Sequence, residues 1–429
     1  MAKQIIFILA LLTTLGVFAY TMRRIFSFFR LTKPFPLNDW GKRIKVTLKV
    51  AIAQSRIFRF PGPGLAHALV FWGFMVITLG SIEMVIDGVF GLHRSMSATG
   101  WFYDFVMASG DIMAYVVLIS IVIFLIRRLF MHIGRFYGIE MQKKSKLDAL
   151  IALGIILLLM VSLAGINLSY VQMHPEGYAG FYPVSAKLAP VLFGEGRDLY
   201  VLHEISWWSH ILLIFIFANI LPYSKHFHVF TSIPNVLLSR LEPLGQLPNM
   251  ESVTNEVKLM MNPDTAFAAA PEGAAAPSRF GVKDVEDVTW KNYLDSLACT
   301  ECGRCTSVCP ANITGKKLSP RKIFVDLRAR MKEKGPGLVK DGSYDDGKSL
   351  VRDYISEEEL WACTTCNACA RECPININHP TLIIDMRRYL VMEEAAVPPP
   401  LATMLQNIQN NGAPWQYSSE DRMKWAELL

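Results

Sequence analysis

The chain has 429 residues, 52% of them hydrophobic, with eight cysteines and a formal net charge of +6 at pH 7. It is too apolar for one soluble domain and too charged to be membrane throughout, so two parts are expected. The basic excess lies beside hydrophobic runs, where it orients a membrane protein, and nucleic acid is excluded as the expected partner.

The first apolar run, residues 5–20, is followed rather than preceded by its charges, Arg23, Arg24 and Arg30. A secretory signal has the reverse polarity, so this run reads as a retained anchor with its N-terminus outside. The next loop sets Lys33, Lys42, Arg43, Lys45, Lys49, Arg56 and Arg59 against the single acid Asp39 and belongs on the cytoplasmic side. Residues 40–58 alternate apolar and basic positions at helical spacing, which suits the membrane surface. A second span, 64–88, carries His67 near its cytoplasmic end. A third, 105–126, returns to Arg127, Arg128, Arg135, Lys143, Lys144 and Lys146, and a fourth, 147–168, leads to an outer loop with only Lys187 and Arg197 as cations. The fifth, 202–230, emerges inside at Lys225. The result is five spans in the inner (cytoplasmic) membrane, N-terminus out and C-terminus in.

The fifth run carries His203, His210, His226 and His228. Histidine inside a membrane segment marks a ligand or a proton path. On one continuous helix His210 and His228 lie about 27 Å apart, near opposite faces. His67 and His228 then share one depth, as the two axial ligands of a low-spin b-type haem must. The competing reading makes them polar residues at a helix interface. His210 needs a partner on the outer half, where the facing level, 77–85, offers Glu83 and Met84 but no histidine. His93 or His203 serves if the outer loops fold inward. His132 and His174 read as solvated loop residues.

Beyond Pro222 comes a moderately apolar segment to Met261, then an Ala, Pro and Gly run, 264–279, that reads as a connector. The cysteines follow as Cys299-x2-Cys302-x2-Cys305-x3-Cys309-Pro310 and again as Cys363-x2-Cys366-x2-Cys369-x3-Cys373-Pro374. Three closely spaced thiolates wrap one corner of a cubane, and the fourth, behind a longer spacer and a Pro, serves the other cluster. This assigns Cys299, Cys302, Cys305 and Cys373 to one [4Fe-4S] centre and Cys363, Cys366, Cys369 and Cys309 to a second. Zinc would call for paired CxxC units instead. With no cysteine left for a disulfide framework, this region belongs in a reducing, cytoplasmic compartment. Between the runs, Ser319-Pro320 opens a helix through Lys334 and Ser356 opens another before Trp361. Gly335-Pro336-Gly337 and residues 341–348 read as exposed loop. Lys316, Lys317, Arg321 and Lys322 read as a solvated or partner-docking face, and His379 as structural.

The segments GLAHALVFWGF, HEISWWSH, PYSKHFHVFTSIPN and WKNYLDSLACTECGRCTSVCPANITGKKLSPRKI resemble membrane-bound iron-sulfur proteins related to heterodisulfide reductase. The first half is similar to the nitrate reductase gamma subunit, a five-span dihaem cytochrome b. The second is similar to the two-cluster part of heterodisulfide reductase and of the anaerobic glycerol-3-phosphate dehydrogenase C subunit. The resemblance implies haem ligation by His67, His210 and His228, and it puts Ile77, which cannot bind iron, where the fourth ligand would fall. Larger family members continue into CCG repeats, absent before this sequence ends at Leu429, so the substrate module is expected as a separate subunit.

The expected fold is all-α: a five-span helical bundle of cytochrome b type (1–235), an amphipathic segment and linker (236–280), a helical two-cluster ferredoxin domain (281–395) and a docking tail (396–429). The expected function is electron transfer between menaquinone or another quinone and a cytoplasmic partner, either a CCG-repeat subunit or a flavoprotein. Two [4Fe-4S] clusters and one or two b haems would carry the electrons, with lipid around the spans. Glu83, Asp87, His93, His203 and Glu204 are candidate proton carriers by depth, and no residue is expected to turn over a soluble substrate alone. The rival reading is a membrane anchor or redox-sensing scaffold without quinone activity.

Overall fold

The computed structural model describes residues 2–138, 140–141, 143–194, 198–262 and 279–427. In chain order its first helices are α1 (Ala2–Phe29), α2 (Trp40–Thr47), α3 (Pro61–Phe90), α4 (Trp101–Leu129), α5 (Lys143–Met173), α6 (Ser185–Phe193), α7 (Tyr200–Ile220) and α8 (His228–Leu237). Of these, α1, α3, α4, α5 and α7 are long and apolar enough to cross a membrane. The connector expected over 264–279 lies outside the described residues except for Arg279, as does Arg197.

Two prolines open α3, where a missing N–H costs nothing, and Gly91 closes it at φ 68°. Large apolar side chains such as Ile5, Leu9 and Leu12 stay exposed along the outside of the bundle, as lipid contact requires. Inside it, the buried Asp111 accepts hydrogen bonds from Asn167 (3.1 Å), from the backbone N–H groups of Val184 (2.9 Å) and Ser185 (3.0 Å), and from the Ser185 hydroxyl. A buried carboxylate is tolerated because it is satisfied in this way, and it pins α6 to α4 and α5.

The fifth helix departs from expectation. It ends at Ile220, where Pro222 cannot supply the next N–H, and two 3₁₀ turns, Leu221–Tyr223 and Lys225–Phe227, redirect the chain at the extended Ser224 before α8 begins. His226 and His228 leave the axis of α7, so the straight-helix separation of about 27 Å from His210 to His228 no longer applies.

The second half is also helical: α9 (Glu251–Met261), α10 (Trp290–Ala298), α11 (Arg304–Ser307), α12 (Pro310–Ile313), α13 (Pro320–Asp341), α14 (Glu357–Trp361), α15 (Ala368–Glu372), α16 (His379–Met392) and α17 (Pro399–Asn411). Capping boxes, Thr289 with Asn292 and Ser356 with Glu359, start α10 and α14. Helix α13 runs straight through Gly335-Pro336-Gly337, which are not the loop that their composition suggests. The reason is packing: Gly335 faces Phe28 of α1, and a Cβ there would sit 2.9 Å from the ring. Phe28 and Phe227 join Leu297, Phe324, Leu327, Met331 and Leu382 in one core, so bundle and cysteine region share hydrophobic interior. Burying Phe28 alone is worth about 2–3 kcal/mol. His379 is buried edge-on to Phe324, a structural role.

A strap over 54–60 fastens the two halves again. Arg56 donates to the carbonyls of Cys373 (2.8 Å) and Ala370 (3.4 Å), and Arg59 to that of Arg371 (2.8 Å). Arg304, between two cysteines of the first run, donates back to the carbonyls of Arg56 (2.9 Å) and Ile57 (3.3 Å). Arg321 is no solvated residue: it is fully buried, paired to Glu140 at 2.6 Å and bonded to the carbonyl of Arg135 at 2.8 Å. Lys322 is likewise engaged, with Asp326 (2.7 Å) and Glu359 (3.0 Å), while Lys316 and Lys317 remain exposed.

Candidate functional site

The two cysteine runs repeat one backbone course. Two residues after the first cysteine the chain turns left-handed, at Glu301 (φ 56°) and Thr365 (φ 55°), and again one residue after the second, at Gly303 (φ 74°) and Asn367 (φ 60°). These turns wind the loop around its thiols and aim backbone N–H groups at sulfur, as Thr365 does toward Cys363 Sγ at 3.4 Å. At Gly303 a side chain is barred twice over, by φ and by the Arg135 carbonyl, which would lie 2.3 Å from a Cβ.

The thiols fall into two crossed groups. Cys309 lines one small cavity with Cys363, Cys366 and Cys369, and Cys305 feels the charges of Cys302, Cys299 and Cys373 ahead of that of Cys369 in the other run. The fourth cysteine of each run thus joins the trio of the other. Burial, reinforced by these neighbours, pushes the Cys369 thiol up to about 12, and burial pushes Cys299 up to about 11. Thiols gathered under such conditions call for a strongly cationic centre to hold them as thiolates. Two matched runs of three close thiols, each with a distant fourth before a proline, suit a polynuclear cluster over mononuclear zinc. Cys366 is the exposed member, so the second group reaches the surface.

At the junction with the bundle, the rings of His67 and His228 lie 6.5 Å apart between centroids and 30° from parallel. Two metal–nitrogen bonds of about 2 Å, each with about 1 Å more to the ring centre, give about 6 Å for imidazoles on opposite sides of one iron. The His67 Nδ1 is buried without a hydrogen-bond partner, and His228 Nδ1 lies 3.3 Å from the Lys225 carbonyl. The pair therefore fits a bis-histidine haem. Breaking the helix at Pro222 is what lets His228 turn to meet His67.

On the outer half, His210 is buried, with Nδ1 3.0 Å from both the Leu159 carbonyl and Ser162 Oγ and with Nε2 unpartnered. Neither proposed partner is drawn to it. His93 and His203 line a cavity of about 340 Å³ whose walls include Ile77, Glu83, Asp87, Glu204 and Trp207 but not His210. His203 stands seven residues from His210 on α7, about 10 Å along the axis, too far for both rings to face one iron. The cavity does gather all five candidate proton carriers. Glu83 accepts from the Met96 N–H (3.0 Å) and Tyr103 hydroxyl (3.3 Å), Glu204 pairs with Lys3 (2.7 Å), and His203 Nδ1 meets Ser169 Oγ (3.1 Å). His132 and His174 are exposed. Sequence reasoning missed the strap, because Arg56 and Arg304 act through backbone carbonyls and carry no motif.

Fold and cysteine geometry together define a helical iron-sulfur protein with five membrane-length helices. The family model described as a 4Fe-4S dicluster domain matches residues 298–377. The chain is 27% identical to the probable iron-sulfur-binding oxidoreductase FadF of Bacillus subtilis, over 99% of its own length and 61% of that protein. It is 27% identical to the EtfAB:quinone oxidoreductase of Syntrophomonas wolfei, over 90% of its own length and 54% of that protein. Over 24% of its length it is 33% identical to one component of the ferredoxin/F(420)H(2)-dependent CoB-CoM heterodisulfide reductase of Methanosarcina acetivorans, covering 52% of that component. The chain therefore spans a little over half the length of the first two relatives. No solved structure matches it.

Proposed function

We propose that this chain is the membrane part of a quinone-linked oxidoreductase, carrying electrons between the quinone pool and an oxidoreductase module on the cytoplasmic side. The observation that carries the reading is the His67–His228 pair, set 6.5 Å apart beside the crossed cysteine groups. Cys299, Cys302, Cys305 and Cys373 would hold one [4Fe-4S] cluster, Cys363, Cys366, Cys369 and Cys309 the other, and His67 and His228 one b-type haem. When bound, these groups supply one-electron carriers spaced from the bundle to the exposed Cys366.

The chain's own residues do the rest. The outer cavity, with Trp207 and Ile77 for apolar wall and Glu83, His203 and Glu204 for protons, suits the head group of menaquinone or another quinone. His210, with its free Nε2, is the candidate ligand for a second haem. Arg23, Arg24, Arg30, Lys42, Lys45 and Lys49 lie on the side of the bundle that meets the cysteine region, which supports a cytoplasmic position for that region and an outside N-terminus. The exposed Cys366 faces the partner, a CCG-repeat module or a flavoprotein. The names of the relatives from Bacillus and Syntrophomonas, an iron-sulfur-binding oxidoreductase and a quinone oxidoreductase, support this reading.

The test is optical. Membranes containing the chain should show dithionite-reducible b-type Soret and α bands, and His67→Ala or His228→Ala should remove the contribution of their haem together with quinol-driven cluster reduction. Quinol-driven reduction that survives both substitutions would take the pair off the electron path, and its absence from the parent would leave only an anchor.

A further inference from the structure

Three arginines meet where α3 begins, and among the described residues no carboxylate pairs with them. Arg304 is 6% exposed, spends its N–H groups on the carbonyls of Arg56 and Ile57, and lies 4.7 Å from the Phe60 ring. Arg135 lies over the same ring at 5.1 Å, with its Nε buried and unpartnered. Arg127, in the last turn of α4, is half-buried, feels both of these charges, and makes no hydrogen bond or ion pair among the described residues. The negative charges that reach Arg304 are those of Cys302 and Cys373 in the cysteine region and that of Glu372, which Arg59 already engages at 3.0 Å.

Arg127 and Arg135 have no such counter-charge, and setting guanidinium groups together in that way costs several kcal/mol per buried ion and adds mutual repulsion. A stable chain that does so presents a fork-shaped anion site, since guanidinium matches carboxylate and phosphate oxygens bidentately. Its location narrows the ligand. Phe60 stands immediately before α3, His67 is seven residues on, about 10 Å along the helix, and the charge of Arg304 acts on the His67 imidazole. We propose that Arg127 and Arg135, with the charge of Arg304 behind them, form the carboxylate-binding end of the haem site, taking the porphyrin's propionate groups beside His67 and His228. This rests on the haem assignment made above. The shared chemistry is an anionic oxygen, and a phospholipid phosphate is the other source.

The experiment uses the full chain in nanodiscs, with Arg127→Gln, Arg135→Gln, the double variant and Arg127→Lys. Arg127 sits at a helix end with no partner to lose, so that variant folds whatever its role. Redox titration of the haem α band should show the midpoint falling in each Gln variant, because a lost cation favours ferric haem, with partial recovery in the Lys variant. Haem transfer to excess apomyoglobin should quicken about tenfold in the double variant, as for a lost charge-assisted hydrogen bond. Unmoved potential and transfer rate in all variants overturn the proposal. If in that case tightly held phospholipid falls instead, the arginines serve headgroups. A parent protein with no b-type bands sinks the haem reading itself, which separates the two failures.

Discussion

Replacing Arg321 with Met tests what holds the cysteine region to the bundle. Its guanidinium is fully buried, the Glu140 side chain is 2% exposed, and the pair spans loop 4–5 and the start of α13 at 2.6 Å. Removing the cation leaves a buried carboxylate whose remaining donor is the Ser319 hydroxyl (2.6 Å), and it strips one N–H from the Arg135 carbonyl and weaker ones from those of Glu301 and Tyr137. Breaking such a pair costs about 3–5 kcal/mol, more than the burial of Phe28 returns at the same seam. The expected result is a lower guanidinium midpoint for loss of cluster absorbance near 400 nm in detergent, with proteolysis opening first at the strap. Arg321→Met with Glu140→Met should recover most of the loss, because two apolar side chains leave no orphaned charge. A single variant within about 1 kcal/mol of the parent would refute the argument, since it would mean the pair contributes no more than a surface contact.

Crossed ligation predicts that Cys309→Ser perturbs the same cluster EPR signal as Cys366→Ser, and Cys373→Ser the same one as Cys302→Ser; pairing within each run would reverse this. Glu83→Gln together with His203→Gln should slow quinol-driven haem reduction by about a hundredfold while leaving dithionite-reduced spectra intact, and unchanged rates would remove the cavity from the proton path. Burial pushes the Asp326 carboxyl up to about 6 from 3.8 despite Lys322, so its contribution to stability is full below 3.8 and lost as pH rises through about 6. Asp326→Asn should therefore gain about 1–3 kcal/mol at pH 8, with the gain fading as pH falls from about 6 toward about 4; a gain independent of pH would contradict the burial argument.

Features with a repeat or a depth were legible in the sequence. The expectation of crossed cysteine groups rested on two matched spacings, and that of a His67–His228 pair on a shared position relative to the basic loops. The two rings do come within 6.5 Å, by a different route from the one expected: an apolar run was extended through Pro222, whereas α7 ends there and a turn precedes His228. Gly335-Pro336-Gly337 misled for the opposite reason. Its composition favours a loop, and only the approach of Phe28, some three hundred residues earlier, makes a helix with a bare face the better solution. Arg321 read as a surface charge, and Arg304 drew no reading, because their partners, Glu140 and the strap carbonyls, lie far away in the chain.

The turn after α7 also ties the two halves together. Helix α8, which begins with His228, is anchored in the cysteine region, where Asn235 bonds the Ile375 carbonyl at 2.9 Å and receives Lys291 at 2.9 Å, whereas His67 belongs to the bundle. On the proposed assignment, a haem held by His67 and His228 would have one axial ligand from each half, so its binding energy would add to the shared core and the arginine strap in holding the two halves together.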